Sequence, residues 1–156
     1  MMSRTADDDM TKGTGSYEQL KLGNQLCFPL YAVSREIIKK YRPILRKIDL
    51  TYTQYLVMMV LWEEDTVNVK KLGEMLFLDS GTLSPVLKSL ETKGLVSRSR
   101  SDEDERILLI SLTDRGCALR EKAKDIPFEI SKCVELSPEE TYELGTLLWK
   151  LLKQTR

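Results

Sequence analysis

The chain has 156 residues, with 24 basic and 24 acidic side chains, so its formal net charge is zero, and it contains no histidine. That length fits one domain, or one domain with a dimerising extension, and 42% hydrophobic residues supply an ordinary soluble core. Without histidine there is no imidazole base and none of the usual zinc ligand sets. No apolar run nears the ~20 residues of a membrane span, and the N-terminus lacks a signal-peptide core, which together imply a cytoplasmic protein without a membrane partner.

The three cysteines, Cys27, Cys117 and Cys133, are widely spaced and form no CxxC pair. They read as free thiols rather than as a metal site or a dithiol. No Gly-rich phosphate loop or nucleophile motif is present, so neither an enzyme nor a bound cofactor is expected. The charges are segregated. Arg35, Lys39, Lys40, Arg42, Arg46 and Lys47 face one acid, Glu36, while Glu135, Glu139, Glu140 and Glu143 gather late in the chain. Such a basic stretch can steer a neutral protein to DNA, although a charge run alone is ordinarily a solvated helix face.

Residues 1–16 read as an acidic, disordered tail. From 17 to 48, Leu20, Leu26, Leu30, Val33, Ile37 and Ile38 recur at helical spacing. Pro29 implies either a main helix beginning near Leu26 or a longer helix kinked there, and Pro43 implies a second break or bend. Thr51 or Thr53 caps a second helix, whose run from Tyr55 to Trp62 is apolar enough to be buried. Asp65 to Asn68 reads as a turn, and Val69 to Phe77 as a short amphipathic helix with Leu72, Met75 and Leu76 inward.

The stretch from Asp79 to Arg106 carries most of the functional signal. Its first half opens with Ser80, Thr82 and Ser84, continues with Leu83, Val86, Leu87 and Leu90, and stops at Lys93-Gly94. Its second half sets Leu95 and Val96 against Ile107 to Leu112 across a tip holding Asp104 and Arg106. A short helix, a tight turn and a hydroxyl-rich helix start make a helix-turn-helix. A charged hairpin tip suits the phosphate rail or the minor groove. The expected fold is therefore mostly α with a small β-hairpin wing, a winged helix-turn-helix over 49–112. Thr82, Ser84 and Lys88 are candidates for groove contacts, Ser80 for a phosphate, and Arg106, held by Asp104, for the minor groove. Arg98 and Arg100 would add phosphate contacts or internal ion pairs.

Residues 113–156 complete the chain. Thr113 to Gly116 caps a helix to about Lys124, Ile126-Pro127 interrupts it, and Ser137-Pro138-Glu139-Glu140 is a helix start with cap, proline and acids in place. Leu144, Leu147, Leu148, Leu151 and Leu152 then form a one-sided stripe that no later segment covers. With the N-terminal helix it would form a dimerisation region, since a winged helix reading a pseudo-palindromic operator in double-stranded DNA needs a two-fold partner.

This order of elements, with Asp104-Glu105-Arg106 at the wing tip, LVSR at Leu95 to Arg98 and LTDRG at Leu112 to Gly116, resembles the MarR family of bacterial regulators. Four further segments resemble its organic hydroperoxide resistance regulators: Gln25 to Tyr31, Lys40 to Pro43, Leu50 to Tyr55 and Leu78 to Leu83. The resemblance implies a repressor that releases DNA when organic hydroperoxide oxidises Cys27. It also implies that Tyr41 and Tyr52 of the dimer hydrogen-bond the sensor sulfur, with Tyr31 near the pocket.

Elementary chemistry agrees with that assignment. A peroxide-reactive cysteine works as its thiolate. A place near a helix N-terminus favours an anion, and phenol O–H donors favour the charged form. Leu26, Phe28 and Leu30 would make an apolar entrance. A lone cysteine between Leu and Phe is otherwise most often a small core residue, and buried tyrosines are commonly core aromatics.

The resemblance leaves two routes for the sulfenic acid: a mixed disulfide with a low-molecular-weight thiol, or capture by a resolving cysteine, for which Cys133 lies in the right region. Cys117 reads as structural. Two other functions use the same motifs, a regulator answering a phenolic or lipophilic ligand and a redox-responsive global or virulence regulator.

Overall fold

A computed structural model describes residues 17–155, so the tail assigned to residues 1–16 lies outside the described residues. The chain divides into two units, Met1–Glu36 and Ile37–Arg156, and helix α1 (Cys27–Arg46) runs from the first into the second. In the first unit, two 3-10 turns, Glu18–Leu20 and Leu22–Asn24, precede the helix. Side-chain amides close them: Asn24 Nδ2 donates to the Glu18 carbonyl (2.8 Å) and Gln25 Nε2 to the Lys21 carbonyl (3.2 Å). Because α1 starts at Cys27, Pro29 sits in its first turn, where a missing N–H costs nothing. The helix therefore begins near Leu26, and no kink at Pro29 is needed.

In the second unit, Pro43 does not break α1 as expected. The helix continues to Arg46. Leu45, 1% exposed, fixes the last turn to the core, and that burial offsets the backbone bond proline removes. Helix α2 (Tyr52–Glu64) starts on a capping box: Thr51 Oγ1 accepts from the Gln54 amide and Gln54 Oε1 accepts from the Thr51 amide. Thr51, not Thr53, is thus the cap. Tyr55, Val57, Met58, Leu61 and Trp62 are buried, which makes α2 the central helix of this unit.

The segment expected to turn at Asp65 to Asn68 contains a strand, β1 (Thr66–Asn68). It pairs antiparallel with β3 (Leu108–Leu112), placing Val67 opposite Ile110, and β3 pairs with β2 (Val96–Arg100), Val96 opposite Leu112. The wing is consequently the outer part of a three-stranded sheet ordered β1-β3-β2. Both Val67 and Ile110 are buried, so the third strand ties the wing to the core.

Between β1 and β2 lie α3 (Val69–Leu76), capped by Asn68, and α4 (Ser80–Thr92), capped by Asp79. Leu72 of α3 and Leu83, Leu87 and Leu90 of α4 reach the core. Gly94, at φ +67°, turns the chain from α4 into β2. After β3 come α5 (Asp114–Ala123), α6 (Ile126–Ser131) with Pro127 in its first turn, and α7 (Pro138–Gln154), capped by Ser137. No residue of α7 is buried within the protomer. Among the described residues no helix is long and apolar enough to cross a membrane.

Candidate sensing and DNA-binding sites

Cys27 is the first residue of α1 and is exposed. Leu26 and Phe28 on either side are exposed as well, so the thiol opens onto an apolar surface. One turn further along, the Tyr31 hydroxyl accepts a hydrogen bond from the Arg35 guanidinium (2.9 Å), which also lies 5.3 Å from the centre of the Tyr31 ring.

Tyr41 and Tyr52 meet in the second unit, their ring centres 4.8 Å apart, with Tyr55 6.0 Å from Tyr41. Burial pushes both phenols above their ordinary range, and for Tyr41 the neighbouring Tyr52 and Tyr55 push further in the same direction. Both therefore remain O–H donors at neutral pH.

Cys133 lies just past α6, in a turn where its amide donates to the Ile130 carbonyl (2.8 Å). It is exposed, its Sγ 3.7 Å from the Glu129 carbonyl. Cys117, read as structural, is exposed in the first turn of α5 and takes no part in the core.

On the DNA-reading side, α4 presents Ser80, Thr82, Ser84 and Lys88, all exposed. Asp79 organises that end: its carboxylate accepts from the Thr82 amide (2.8 Å) and hydroxyl (3.0 Å). These bonds hold the Asp79 carboxyl below the usual carboxylate range. Ser84 donates its hydroxyl to the Ser80 carbonyl (2.7 Å). At the wing tip, Asp104 accepts from the Arg106 amide (3.0 Å) and pairs with its guanidinium (3.4 Å), while the Arg106 side chain is 93% exposed.

Arg98 takes the internal option. Its Nε donates to Glu91 at 2.8 Å and a second guanidinium nitrogen bonds the same carboxylate, joining β2 to α4. That contact holds the Glu91 carboxyl low. Arg100 is exposed. A cleft of about 750 Å³ lies between α3, the start of α4 and the wing, lined among others by Lys70, Phe77, Ser80, Leu83, Arg106 and Ile107.

The roles of Asp79 and Gln54 escape sequence reasoning although their signals are present. Asp79 stands directly before Ser-Gly-Thr, the position of a helix cap. Thr51-x-x-Gln54 is a capping box written in the sequence, and its glutamine also reaches α4.

The organic hydroperoxide resistance transcriptional regulator of Bacillus subtilis strain 168 is 53% identical over 137 residues, covering 88% of this chain and 93% of that one. The SarA/Rot transcriptional regulators match residues 39–126. The chain belongs to this family of MarR-type transcriptional regulators. SarZ of Staphylococcus haemolyticus is 49% identical over 119 residues, 76% of this chain and 81% of that regulator. Among solved structures, reduced AbfR bound to DNA is 40% identical, covers 89% of this chain and 98% of its own, and superposes with a TM-score of 0.73; AbfR comes from Staphylococcus epidermidis. AbfR is also known overoxidised and bound to DNA (TM-score 0.72) and in a disulfide form (TM-score 0.61). The winged-helix fold and MarR-type membership expected from the motifs both hold.

Proposed function

We propose that this MarR-type regulator is a homodimeric DNA-binding repressor that senses organic hydroperoxides through Cys27. The observation that carries the reading is an exposed cysteine at the first residue of a 20-residue helix, between exposed Leu26 and Phe28. The apolar flanks favour an alkyl peroxide over hydrogen peroxide. Tyr41 and Tyr52 supply the O–H donors to the sulfur in the dimer, and Tyr31 borders the entrance.

The chemistry balances without a cofactor. The thiolate attacks the outer peroxide oxygen, the O–O bond breaks, and the inner oxygen leaves as alkoxide and takes a proton to become an alcohol. Sulfur is left two electrons poorer, as sulfenic acid. A thiol then captures it with loss of water. Cys133 is one candidate for that thiol, AbfR being known in a disulfide form, and a small cellular thiol is the other.

Reduced protein holds its operator with recognition helices in successive major grooves, ~34–36 Å apart. Thr82, Ser84 and Lys88 face base edges, Ser80 a phosphate, and Arg106 the minor groove. Arg98 acts through Glu91 by fixing β2 on α4. Oxidation changes the dimer contacts and so the spacing of those helices, and the operator is released, derepressing peroxide-clearing genes in the cytoplasm.

The test is fluorescence anisotropy on the DNA upstream of its own gene, with cumene hydroperoxide and then dithiothreitol, for wild type, Cys27→Ser and Cys133→Ser. Peroxide should release wild type reversibly and leave Cys27→Ser bound. Wild-type protein that stays on DNA under peroxide would sink the reading. The cleft beside the wing favours one second reading, a regulator of phenolic or lipophilic anions, because it sets Lys70 and Arg106 around Phe77 and Ile107. Such a ligand would displace DNA from Cys27→Ser as readily as from wild type.

A further inference from the structure

We propose that Gln54 is the positioning residue through which the sensor tyrosine Tyr52 governs the recognition helix; the inference rests on the redox reading above. Gln54 is the buried polar residue of the core among the described residues, 5% exposed, and both the oxygen and the nitrogen of its amide are engaged. Oε1 accepts from the Thr51 amide (3.0 Å) and from Lys93 Nζ (3.3 Å), and Nε2 donates to Ser89 Oγ (2.9 Å). Ser89 lies on α4, and Lys93, one turn further on, is its C-cap residue.

The Lys93 ammonium is also fully used. Besides Gln54 it bonds the Asp49 carbonyl and pairs with the Asp49 carboxylate at 3.2 Å. Its three hydrogens therefore have three acceptors, and its side chain is only 24% exposed. Asp49 itself adopts a left-handed backbone at φ 55°, which turns its carbonyl and carboxylate to the same cation.

One amide and one ammonium thus join three pieces of chain: the loop after α1, the first turn of α2, and the C-terminal half of α4. Tyr52 stands between Thr51 and Gln54 in that first turn, with its ring against Tyr41. A displacement of Tyr52 moves the turn that holds Gln54. A buried amide cannot give up partners without leaving unpaired polar groups in a dry environment. The clamp therefore moves α4 with the turn or breaks as a unit. Because α4 is one continuous helix, its DNA end follows its clamped end.

The measurement is the ratio of operator dissociation constants, oxidised over reduced, for the full-length dimer of wild type, Gln54→Leu and Ser89→Ala. Cumene hydroperoxide is the oxidant, and the rate of Cys27 thiol loss is recorded on the same samples. Ser89→Ala removes a single partner from a helix that tolerates alanine, so it carries the test if Gln54→Leu does not fold. We expect thiol loss at the wild-type rate and a ratio at least about fivefold smaller, within the range of coupling between distinct sites. An unchanged ratio, or a common weakening of both constants that preserves it, overturns the coupling role and leaves Gln54 a structural cap. A wild-type ratio of one rejects the redox reading itself, and the coupling with it.

Discussion

Gly116 gives the sharpest quantitative test of how the second unit is assembled. A Cβ placed there would lie 2.1 Å from the Leu95 carbonyl oxygen and 3.1 Å from Leu112 Cδ2. A carbon meets a carbonyl oxygen at about 3.3 Å at closest, so Gly116→Ala must open the contact between α5 and the entry to β2 by roughly 1 Å. Neither side yields freely. The Leu95 carbonyl accepts the Thr113 amide at 3.2 Å, and the Gly116 carbonyl accepts the buried Trp62 indole N–H at 3.0 Å. Overpacking costs about 1–3 kcal/mol, and a buried donor left without its acceptor another ~1–3 kcal/mol. The expected loss is thus about 2–6 kcal/mol, a large share of a typical total near 5–15 kcal/mol.

At about 2–4 °C per kcal/mol for a chain of this size, reduced Gly116→Ala should melt at least ~4 °C below its parent. The two must be compared at equal protomer concentration, because association contributes to stability. Cys117→Ala, one residue away and exposed, is the control and should change stability by less than about 0.5 kcal/mol. Equal melting of Gly116→Ala and parent would refute the described packing of α5 on β2.

Other changes address the proposed sites directly. Tyr41→Phe and Tyr52→Phe keep the rings but remove the donors; a hydrogen bond to a charged group is worth about 1.5–3 kcal/mol, so each should slow Cys27 oxidation tenfold or more. Stopped-flow thiol loss at the parental rate would remove the tyrosines from the sensor. Arg106→Ala should weaken operator binding about ten- to hundredfold and make the salt dependence shallower by about one contact; an unaltered salt slope would mean the wing tip stays off the DNA.

Asp79 predicts an acid limb. Its carboxyl is held low by the Thr82 amide and hydroxyl, so its contribution is complete above the ordinary carboxylate value near 4 and is lost as pH falls through the lowered folded value. Asp79→Asn keeps a cap but should flatten that part of the curve in urea titrations between neutral and acid pH. On α7, Trp149→Glu should raise the dimer dissociation constant about thirtyfold or more, as loss of a buried aromatic anchor does. Sedimentation that still finds a parental dimer would place the interface elsewhere.

The features legible from sequence were those written in four or five consecutive residues. Thr51, Thr113 and Ser137 cap helices because a hydroxyl at one position and an amide three residues on suffice to make the contact. β1 was not legible in this way. Three residues are too few to display alternation, and Val67 is a strand residue only because Ile110, distant in sequence, lies opposite.

Pro43 misleads for the same reason, since the burial of Leu45 that holds α1 together is tertiary. Arg98 could be offered to a phosphate or to an acid, and only the fold reveals Glu91 one helix away. The proposed sensor, Cys27, is singled out in the sequence by family resemblance alone. A cysteine between leucine and phenylalanine carries no chemical signature, and its exposure at a helix start is a property of the folded chain.

The distribution of buried residues also bears on how such a switch can work without unfolding its protein. The core draws only Leu45 from α1 and nothing from α7, and its last member is Ile130. Tyr142 and Trp149 are 79% and 61% exposed, and Phe128 and Leu147 are exposed with them. Apolar surface on that scale is what a second copy covers in a dimer. Cys27 and Cys133 are both exposed, and neither is itself a residue of the core. In the proposed switch, oxidation at either position would fall outside the packing around α2 and act on surfaces that a partner would complete. A polar sulfenic acid or a mixed disulfide in the middle of a domain would be paid for in stability. Placed at the proposed junction between copies, it would alter the distance between two reading heads that each stay folded, and operator affinity depends on that distance.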